Sequence, residues 1–186
     1  MSNIVTEFNI RGSSVLLKNR WDVVRLVVDQ GVGIELGTAS AGFSRRILEI
    51  SNLSFLYTVD HFIKEQADDA YIHALYQLLP FRNRSTILRT TFETASRLFP
   101  NDYFDFIYID GYAHTGQENG STFRDWWGKL KSGGVFAGDD YHSNWPDVVK
   151  NLDEFASRIN HEVYVIDCVP GEDCFSQYPT WFIIKR

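Results

Sequence analysis

The chain has 186 residues, of which 44% are hydrophobic, and a formal net charge of −6. This length suffices for a sizeable core, so we expect residues 1–186 to form a single domain. The negative charge disfavours nucleic-acid binding, because that binding relies on basic patches. No apolar run is long enough to span a bilayer, and residues 1–9 lack the basic start and apolar stretch of a signal peptide. We therefore expect a cytoplasmic protein that binds neither nucleic acid nor a membrane.

The two cysteines, Cys168 and Cys174, lie close together in sequence. They lack CxxC spacing and nearby histidines, so they do not predict a zinc site. In a reducing cytoplasm two free thiols are favoured over a disulfide that closes a short loop.

The N-terminal part of the chain precedes the regular pattern. Residues 1–12 mix polar and apolar side chains without clear periodicity, and we expect them to form a loose arm. Between residues 15 and 30 apolar side chains recur with helical spacing. This spacing predicts a helix that ends at Gly31 and Gly33.

From residue 33 onward, predicted strands and helices alternate. The strands span 33–36, 55–59, 85–89, 104–109, 134–137, 163–167 and 181–185, and the helices span 43–51, 64–79, 93–98, 122–131 and 147–159. Such alternation predicts a parallel sheet with helices on both faces. Residues 168–179 read as a loop, so the last strand should run antiparallel to its neighbour. The predicted fold is therefore α/β, with a Rossmann-like sheet of seven strands.

The turn after the first of these strands consists of small residues. Gly37, Ala39, Ser40 and Gly42 have little side-chain bulk, so a ligand can approach the backbone closely. The helix that follows presents its N-terminal amides and the positive end of its dipole to the same place. This pattern is typical of nucleotide-type cofactor pockets, and it also occurs in purely structural turns.

Acidic residues end four of the predicted strands, at Glu35, Asp60, Asp110 and the pair Asp139–Asp140. Ligands of open α/β sheets bind outside the carboxyl ends of the strands. Like charges on one rim repel each other unless a ligand or a cation compensates them. Asp60 is spaced to accept the hydroxyls of a ribose, with a helix cap as the alternative.

Asp110, Asp139 and Asp140 fall at the ends of two consecutive strands. Three carboxylates in a small volume suit a hard divalent ion such as Mg²⁺, which takes oxygen ligands. The alternative is a pair of loop caps and one cofactor contact.

Several of these segments resemble one enzyme family. The residues Ile34-Glu35-Leu36-Gly37, the stretches 104–111 and 130–141, and Asp60 are similar to class I S-adenosylmethionine-dependent methyltransferases. More narrowly, they resemble the metal-dependent O-methyltransferases related to catechol and macrocin O-methyltransferases. The resemblance covers residues 33–186 and implies the seven-stranded sheet with an antiparallel last strand.

The resemblance also implies roles for individual residues. The methionine part of S-adenosylmethionine would lie against Glu35, Gly37, Thr38, Ala39 and Ser40. The ribose would bind Asp60, the adenosine would lie beside His61, and the adenine would contact Thr91 or Phe92. Asp110 would contact the cofactor and take part in catalysis, and Mg²⁺ or another divalent ion would bind Asp110, Asp139 and Asp140.

A general base is expected in the loop after Asp110. Relatives often carry Lys or His three residues on, where this chain has Ala113 followed by His114. His114 is therefore the first candidate base, and His142 is the second.

The resulting hypothesis is metal-assisted O-methylation of a small-molecule hydroxyl. A homodimer is one candidate oligomeric state. Two alternatives stay open. One is a nicotinamide-dependent oxidoreductase, although Gly37 and Gly42 do not give GxGxxG spacing. The other is a catalytically silent cofactor-binding or scaffold protein.

Overall fold

The structure is a computed structural model that describes residues 2–63, 67–167 and 178–186. Within these residues, eight strands form one sheet and two more form a separate hairpin. The strands in chain order are β1 (Asn3–Ile4), β2 (Glu7–Ile10), β3 (Ser13–Leu16), β4 (Val32–Leu36), β5 (Phe55–Asp60), β6 (Ser85–Arg89), β7 (Phe104–Ile109), β8 (Leu130–Gly138), β9 (Tyr164–Ile166) and β10 (Thr180–Ile184).

Helices flank this sheet. They are α1 (Arg20–Val23), α2 (Gly42–Ile50), α3 (Ala67–Leu78), α4 (Phe92–Ser96), α5 (Gly116–Asn119), α6 (Ser121–Trp127) and α7 (Pro146–Ile159). Short 3₁₀ turns cover Val24–Leu26, Leu79–Phe81 and Ala113–Thr115. No helix in the described part of the chain is long and apolar enough to cross a membrane.

The large sheet has the order β1-β9-β10-β8-β7-β4-β5-β6. Strands β8, β7, β4, β5 and β6 run parallel, and β10 runs antiparallel to both β8 and β9. All seven predicted strands are present, and the antiparallel last strand is confirmed. The parallel order brings the carboxyl ends of β4, β5, β7 and β8 to one edge, where the predicted site lies.

The helix predicted over residues 15–30 is only partly present, because helical geometry is confined to residues 20–26. Val15 instead pairs with Phe8 across the β2–β3 hairpin, and α1 begins only after Asn19, whose side chain accepts a hydrogen bond from the backbone amide of Trp21. Helical geometry ends at Leu26, because Val27 is extended. The apolar spacing was real, since Leu17 and Leu26 are buried, but strand pairing determined the local structure.

The loose arm predicted for residues 1–12 is wrong. β1 pairs parallel with β9 and becomes the eighth strand of the sheet. On β2, Phe8 packs edge-on against Tyr164 and Phe182 at centroid distances of 4.7 and 5.0 Å. Long-range pairing and aromatic packing therefore order a segment that has no local periodicity.

Two other predictions need revision or cannot be assessed. The helix expected over 122–131 ends at Trp127, because Leu130 already pairs with Phe104 of β7 and begins β8. The helix expected over 64–79 is present as Ala67–Leu78, and residues 64–66 lie outside the described residues. Cys168 and Cys174 also lie outside them.

The core consists of two hydrophobic clusters. One includes Leu26, Phe43 and Phe106, and the other includes Ile107, Trp126 and Trp181. Neighbouring residues of β7 thus contribute to different clusters, as expected for a strand buried on both faces. This burial fixes the central strands and therefore the positions of the acidic residues at their ends.

Candidate active site

The carboxyl ends of β4, β5 and β7 border a cavity of about 370 Å³. Six of the predicted cofactor residues line it: Gly37, Ala39, Asp60, His61, Phe92 and Asp110. The remaining wall is formed by Phe62, Ile63, Ala67, Ala70, Gly111 and Tyr112. The structure therefore brings together residues from four separate turns of the chain, as the strand-end argument predicted.

Gly37 is required by the close approach of two strand ends. Its φ is +110°, and a Cβ built there would lie 1.9 Å from the carbonyl oxygen of Asp110. The backbone amide of Asp110 donates to the carbonyl of Leu36 at 2.7 Å, which holds the two ends together. A side chain at position 37 would push Asp110 away from the cavity.

Glu35 lies behind the turn. Its side chain is 1% exposed and accepts a hydrogen bond from the Ser44 hydroxyl, so it connects β4 to α2. Burial raises the pKa of Glu35 to about 8, despite the opposing effect of the Ser44 hydrogen bond. Glu35 does not line the cavity directly.

Thr38 and Ser40 take different positions in the same turn. Thr38 is buried, and its hydroxyl has no hydrogen-bond partner among the described residues. An unpaired buried hydroxyl beside a ligand cavity fits a polar contact with a cofactor. Ser40 is exposed and does not line the cavity.

Asp60 closes the turn from the neighbouring strand. One carboxylate oxygen accepts from the amide of Ala39 and the other from the amide of Phe62, each at 2.9 Å. These two bonds hold the turns after β4 and β5, and neither amide belongs to α3, which begins at Ala67. Because each oxygen has a second lone pair, the same carboxylate can also accept from a ribose hydroxyl.

An aromatic pair borders the predicted adenine region. Phe92 packs against Tyr112 with ring centroids 4.6 Å apart, and both residues line the cavity. Thr91 instead caps α4, accepting from the amide of Thr94, and lines a neighbouring cavity of about 670 Å³. The sequence analysis missed Tyr112, although an aromatic residue directly after Asp110-Gly111 was a usable signal.

The acidic residues at the ends of β7 and β8 lie on adjacent strands of the sheet. Asp139 is only 4% exposed, and one of its carboxylate oxygens accepts from the Thr180 hydroxyl at 3.0 Å. The indole nitrogen of Trp181 donates to its backbone carbonyl at 3.1 Å. The antiparallel strand β10 therefore fixes Asp139.

Arg20, which the sequence analysis missed, supplies positive charge to this acidic cluster. Its guanidinium donates to Asp110 at 2.6 Å and lies 3.5 Å from a carboxylate oxygen of Asp139. It also lies over the ring of Phe43, 3.9 Å from the centroid. The sequence does indicate that a cation is needed, because several acidic residues end neighbouring strands. Nothing in the sequence around Arg20 identifies it as that cation.

The predicted metal ligands do not fit a divalent ion in this arrangement. Arg20 already contacts two of the three carboxylates, those of Asp110 and Asp139. In residues 2–63, 67–167 and 178–186, no group of three or more His, Cys, Asp or Glu side chains is placed to hold a metal ion. The Mg²⁺ site predicted from the three carboxylates and from the resemblance is therefore not supported by this geometry.

Asp140, the second acid of the pair, interacts electrostatically with Asp110, Arg20 and His114. Burial and the nearby Asp110 raise its pKa to about 6, against the lowering effects of Arg20 and His114. His114 packs edge-on against Trp145 at 4.7 Å. The ring Nδ1 of His142 accepts from the amide of Asn144 at 3.1 Å, so part of its hydrogen-bonding capacity serves its own loop.

An unusual turn holds His114 in place. In α5, residues Gly116, Gln117, Glu118 and Asn119 all have positive φ between 53° and 58°, which makes it a left-handed turn. The side-chain amide of Asn151 on α7 donates to the carbonyl of Gly116 at 2.9 Å. The loop that follows Asp110 is therefore docked onto α7, whose N-terminal end adjoins Trp145.

Comparisons with known proteins agree with this geometry. A family model described as a methyltransferase domain matches residues 32–141. No curated protein sequence matches the chain.

Three solved structures illustrate the fold. A putative methyltransferase from Streptococcus mutans, solved in complex with SAH (S-adenosylhomocysteine), has a TM-score of 0.64 at 13% identity and covers 89% of this chain and 95% of that chain. An O-methyltransferase from Thermotoga maritima has a TM-score of 0.64 at 15% identity, covering 88% and 62%. A precorrin-6y C5,15-methyltransferase from Geobacter metallireducens has a TM-score of 0.62 at 19% identity, covering 87% and 82%.

At these identities the solved structures show the fold alone. The family model, in contrast, spans the turn after β4, the end of β7 and the Asp139–Asp140 pair, and it covers more than half of the chain. The chain therefore belongs to the class I S-adenosylmethionine-dependent methyltransferases.

Proposed function

We propose that this methyltransferase transfers the methyl group of S-adenosylmethionine to a hydroxyl group of a small molecule. The observation that carries the proposal is the electrostatic interaction of Asp140 with both Asp110 and His114. Asp110 lines the cofactor cavity, while Asp140 and His114 influence each other electrostatically on the acceptor side. A methyl acceptor bound there would lie between the cofactor and two groups that can accept a proton.

The chemistry of these groups favours oxygen as the acceptor. A neutral hydroxyl attacks a sulfonium carbon poorly, so its proton must be removed as the new bond forms. A base works best when its pKa is near the working pH, and the pKa of Asp140 is raised to about 6. We propose Asp140 as the base alongside His114, the candidate from the sequence.

The remaining residues align the reactants. Methyl transfer is an in-line displacement, for which fixed positions of donor and acceptor provide much of the rate enhancement. Gly37 and Asp60 line the cavity proposed for the donor, and the docking of the following loop onto α7 supports a fixed position for His114. Asp110 belongs to both sides and is therefore proposed as an orienting group.

The surface charge supports a small acceptor. The net charge of −6 and the cluster of Asp110, Asp139 and Asp140 are unfavourable for a polyanion. The divalent ion implied by the resemblance is not part of the proposed mechanism, because Arg20 already contacts two of its predicted ligands.

The experiment is a turnover assay that detects SAH formation on panels of sugars, phenols, carboxylic acids and amines. We expect product with a methyl group on oxygen, identified by mass spectrometry and NMR. Asp140→Asn should lower kcat by about 10²- to 10⁴-fold, the usual contribution of a general base. His142→Ala serves as the comparison for His114→Ala.

SAH affinity, measured in parallel, distinguishes a loss of catalysis from a loss of cofactor binding. Asp140→Asn and His114→Ala should keep the wild-type affinity. Methylation of nitrogen alone, or unchanged turnover in both variants, would contradict the proposal. SAH binding without turnover on any panel would favour the catalytically silent alternative.

A further inference from the structure

We infer that Arg20 takes the place of a divalent cation in the acceptor site, so that its guanidinium is the fixed positive charge that holds Asp110 and Asp139. This inference rests on the proposed function, because it concerns the acceptor side of the same site. It assigns to Arg20 a positioning role that no local sequence pattern indicates.

The geometry of the contacts carries the first part of the argument. One terminal nitrogen of Arg20 lies 2.6 Å from Asp110 Oδ2, and the other lies 3.5 Å from Asp139 Oδ2. The planar guanidinium thus bridges the ends of β7 and β8, as an ion shared by both carboxylates would. Mg²⁺ binds oxygen at about 2.0–2.1 Å, so an ion on the same two oxygens would meet the guanidinium directly.

The surroundings fix Arg20 in this position. Its side chain is 4% exposed and lies against the aromatic rings of Phe43 and Tyr108, at 3.9 and 5.2 Å from their centroids. The capping residue Asn19 starts α1 immediately before it. Turning the guanidinium away would leave a buried charge without its partners, which is strongly unfavourable.

The charges also argue against a second cation. Asp110 and Asp139 together carry two formal negative charges, and Arg20 neutralises one of them. A divalent ion added beside Arg20 would place two cations next to each other in a largely buried site, where screening is weak. The guanidinium and the ion therefore compete for the same carboxylates.

In this arrangement Asp140 has a different role from Asp110 and Asp139. Asp140 makes neither of the two Arg20 contacts and is less buried than Asp139. Arg20 and β10 hold Asp139 in place, and Arg20 also orients Asp110. Asp140 can then act as a base without serving as a metal ligand.

The test uses Mn²⁺ as a probe, with binding followed by electron paramagnetic resonance. Wild-type protein should bind no Mn²⁺ at this site, and its SAH affinity and turnover should persist after EDTA treatment. Arg20→Met removes the charge and keeps much of the side-chain length. It should bind Mn²⁺ at least about tenfold more tightly than the limit set by the wild-type titration, a difference of about 1.4 kcal/mol or more.

Two further variants identify the site and control for folding. Arg20→Lys keeps the charge and should not gain Mn²⁺ binding. Arg20→Met combined with Asp139→Asn should lose the gained binding. Thermal unfolding and SAH titration confirm that each variant is folded, and the wild-type measurement tests the inference even if Arg20→Met does not fold.

Wild-type Mn²⁺ binding that Asp139→Asn abolishes would overturn the inference. So would a folded Arg20→Met variant that binds no more Mn²⁺ than the wild type. Either result leaves the proposed function intact, because hydroxyl methylation is judged by the turnover panel and not by metal binding.

Discussion

At the scale of single residues, Gly37 shows most directly how backbone geometry shapes the cofactor cavity. Gly37→Ala should lower the free energy of unfolding by about 3 kcal/mol or more, since overpacking costs about 1–3 kcal/mol and left-handed backbone about 1–2 kcal/mol. Denaturant unfolding measures this loss, and SAH titration should show weakened binding.

Gly133→Ala is the matched control for that substitution. Gly133 also has positive φ, at +76°, but nothing lies within 4 Å of a Cβ built there. The Gly133→Ala variant should lose only the free energy of unfolding that comes from the unfavourable left-handed backbone, about 1 kcal/mol. Equal losses in the two variants would contradict the clash of residue 37 with Asp110.

The buried Glu35 should make stability depend on pH. In the unfolded chain it loses its proton near 4.5, whereas in the folded protein it keeps the proton until about pH 8. Unfolding therefore becomes easier as pH rises across this window, by up to about 1.4 kcal/mol per pH unit. Glu35→Gln lacks this contribution, so its stability should exceed that of the wild type increasingly between pH 5 and about 8. Parallel pH curves for the two proteins would contradict the raised pKa.

The pKa of Asp140 predicts the acid limb of activity. Its carboxylate accepts a proton only when ionised, so kcat/KM should fall as pH decreases through about 6. Asp140→Asn should remove this limb along with most of the activity. An acid limb that persists unchanged in Asp140→Asn would assign it to another group, such as His114.

Residue-level prediction from the sequence succeeded where a residue follows a regular strand. Asp60 and Asp110 end buried strands, so the topology alone placed both at the cavity. Arg20 could not be found in this way, because it is 90 residues from Asp110 and its contact depends on tertiary packing. Tyr112 lies two residues after Asp110, so the same strand-end argument places it near the cavity, but its packing against Phe92 depends on tertiary structure.

At the scale of elements, the N-terminal segment is where the sequence was least informative. Its strands form by pairing with β9 and with each other, and such non-local contacts leave weak local patterns. The central strands were predictable because continuous apolar runs bounded by turns are typical of buried parallel strands. The helix expected over 15–30 is shorter than predicted, because a broad apolar face does not distinguish one long helix from a hairpin strand followed by a short helix.

The hairpin should contribute measurable stability through Phe8. Phe8→Ala removes two aromatic contacts, each worth about 0.5–1.5 kcal/mol, and should lower the free energy of unfolding by about 2 kcal/mol. Leu16→Ala, on the partner strand, is the control, because Leu16 is 53% exposed and should cost less than about 0.5 kcal/mol. Denaturant unfolding measures both variants. Similar losses of unfolding free energy in the two would show that Phe8 packing does not account for the stability of the hairpin.

At the scale of the whole molecule, the sheet order brings together on adjacent strand ends the residues that we propose for the donor and for the acceptor. β4 and β5 carry the residues proposed for the cofactor, and β7 and β8 carry those proposed for the acceptor. The N-terminal segment adds Arg20 from outside the alternating pattern. The site is therefore a property of the complete chain, even though its acidic residues follow from the core fold alone.

Calorimetric titration with SAH in the presence of EDTA tests the account most directly. We expect binding at a single site in the wild type, weakened by at least about tenfold in Asp60→Ala. Asp68→Ala, which removes an exposed acid from α3, should leave the affinity unchanged. Failure of the wild type to bind SAH, or equal affinities for wild type and Asp60→Ala, would contradict the placement of the cofactor at the ends of β4 and β5.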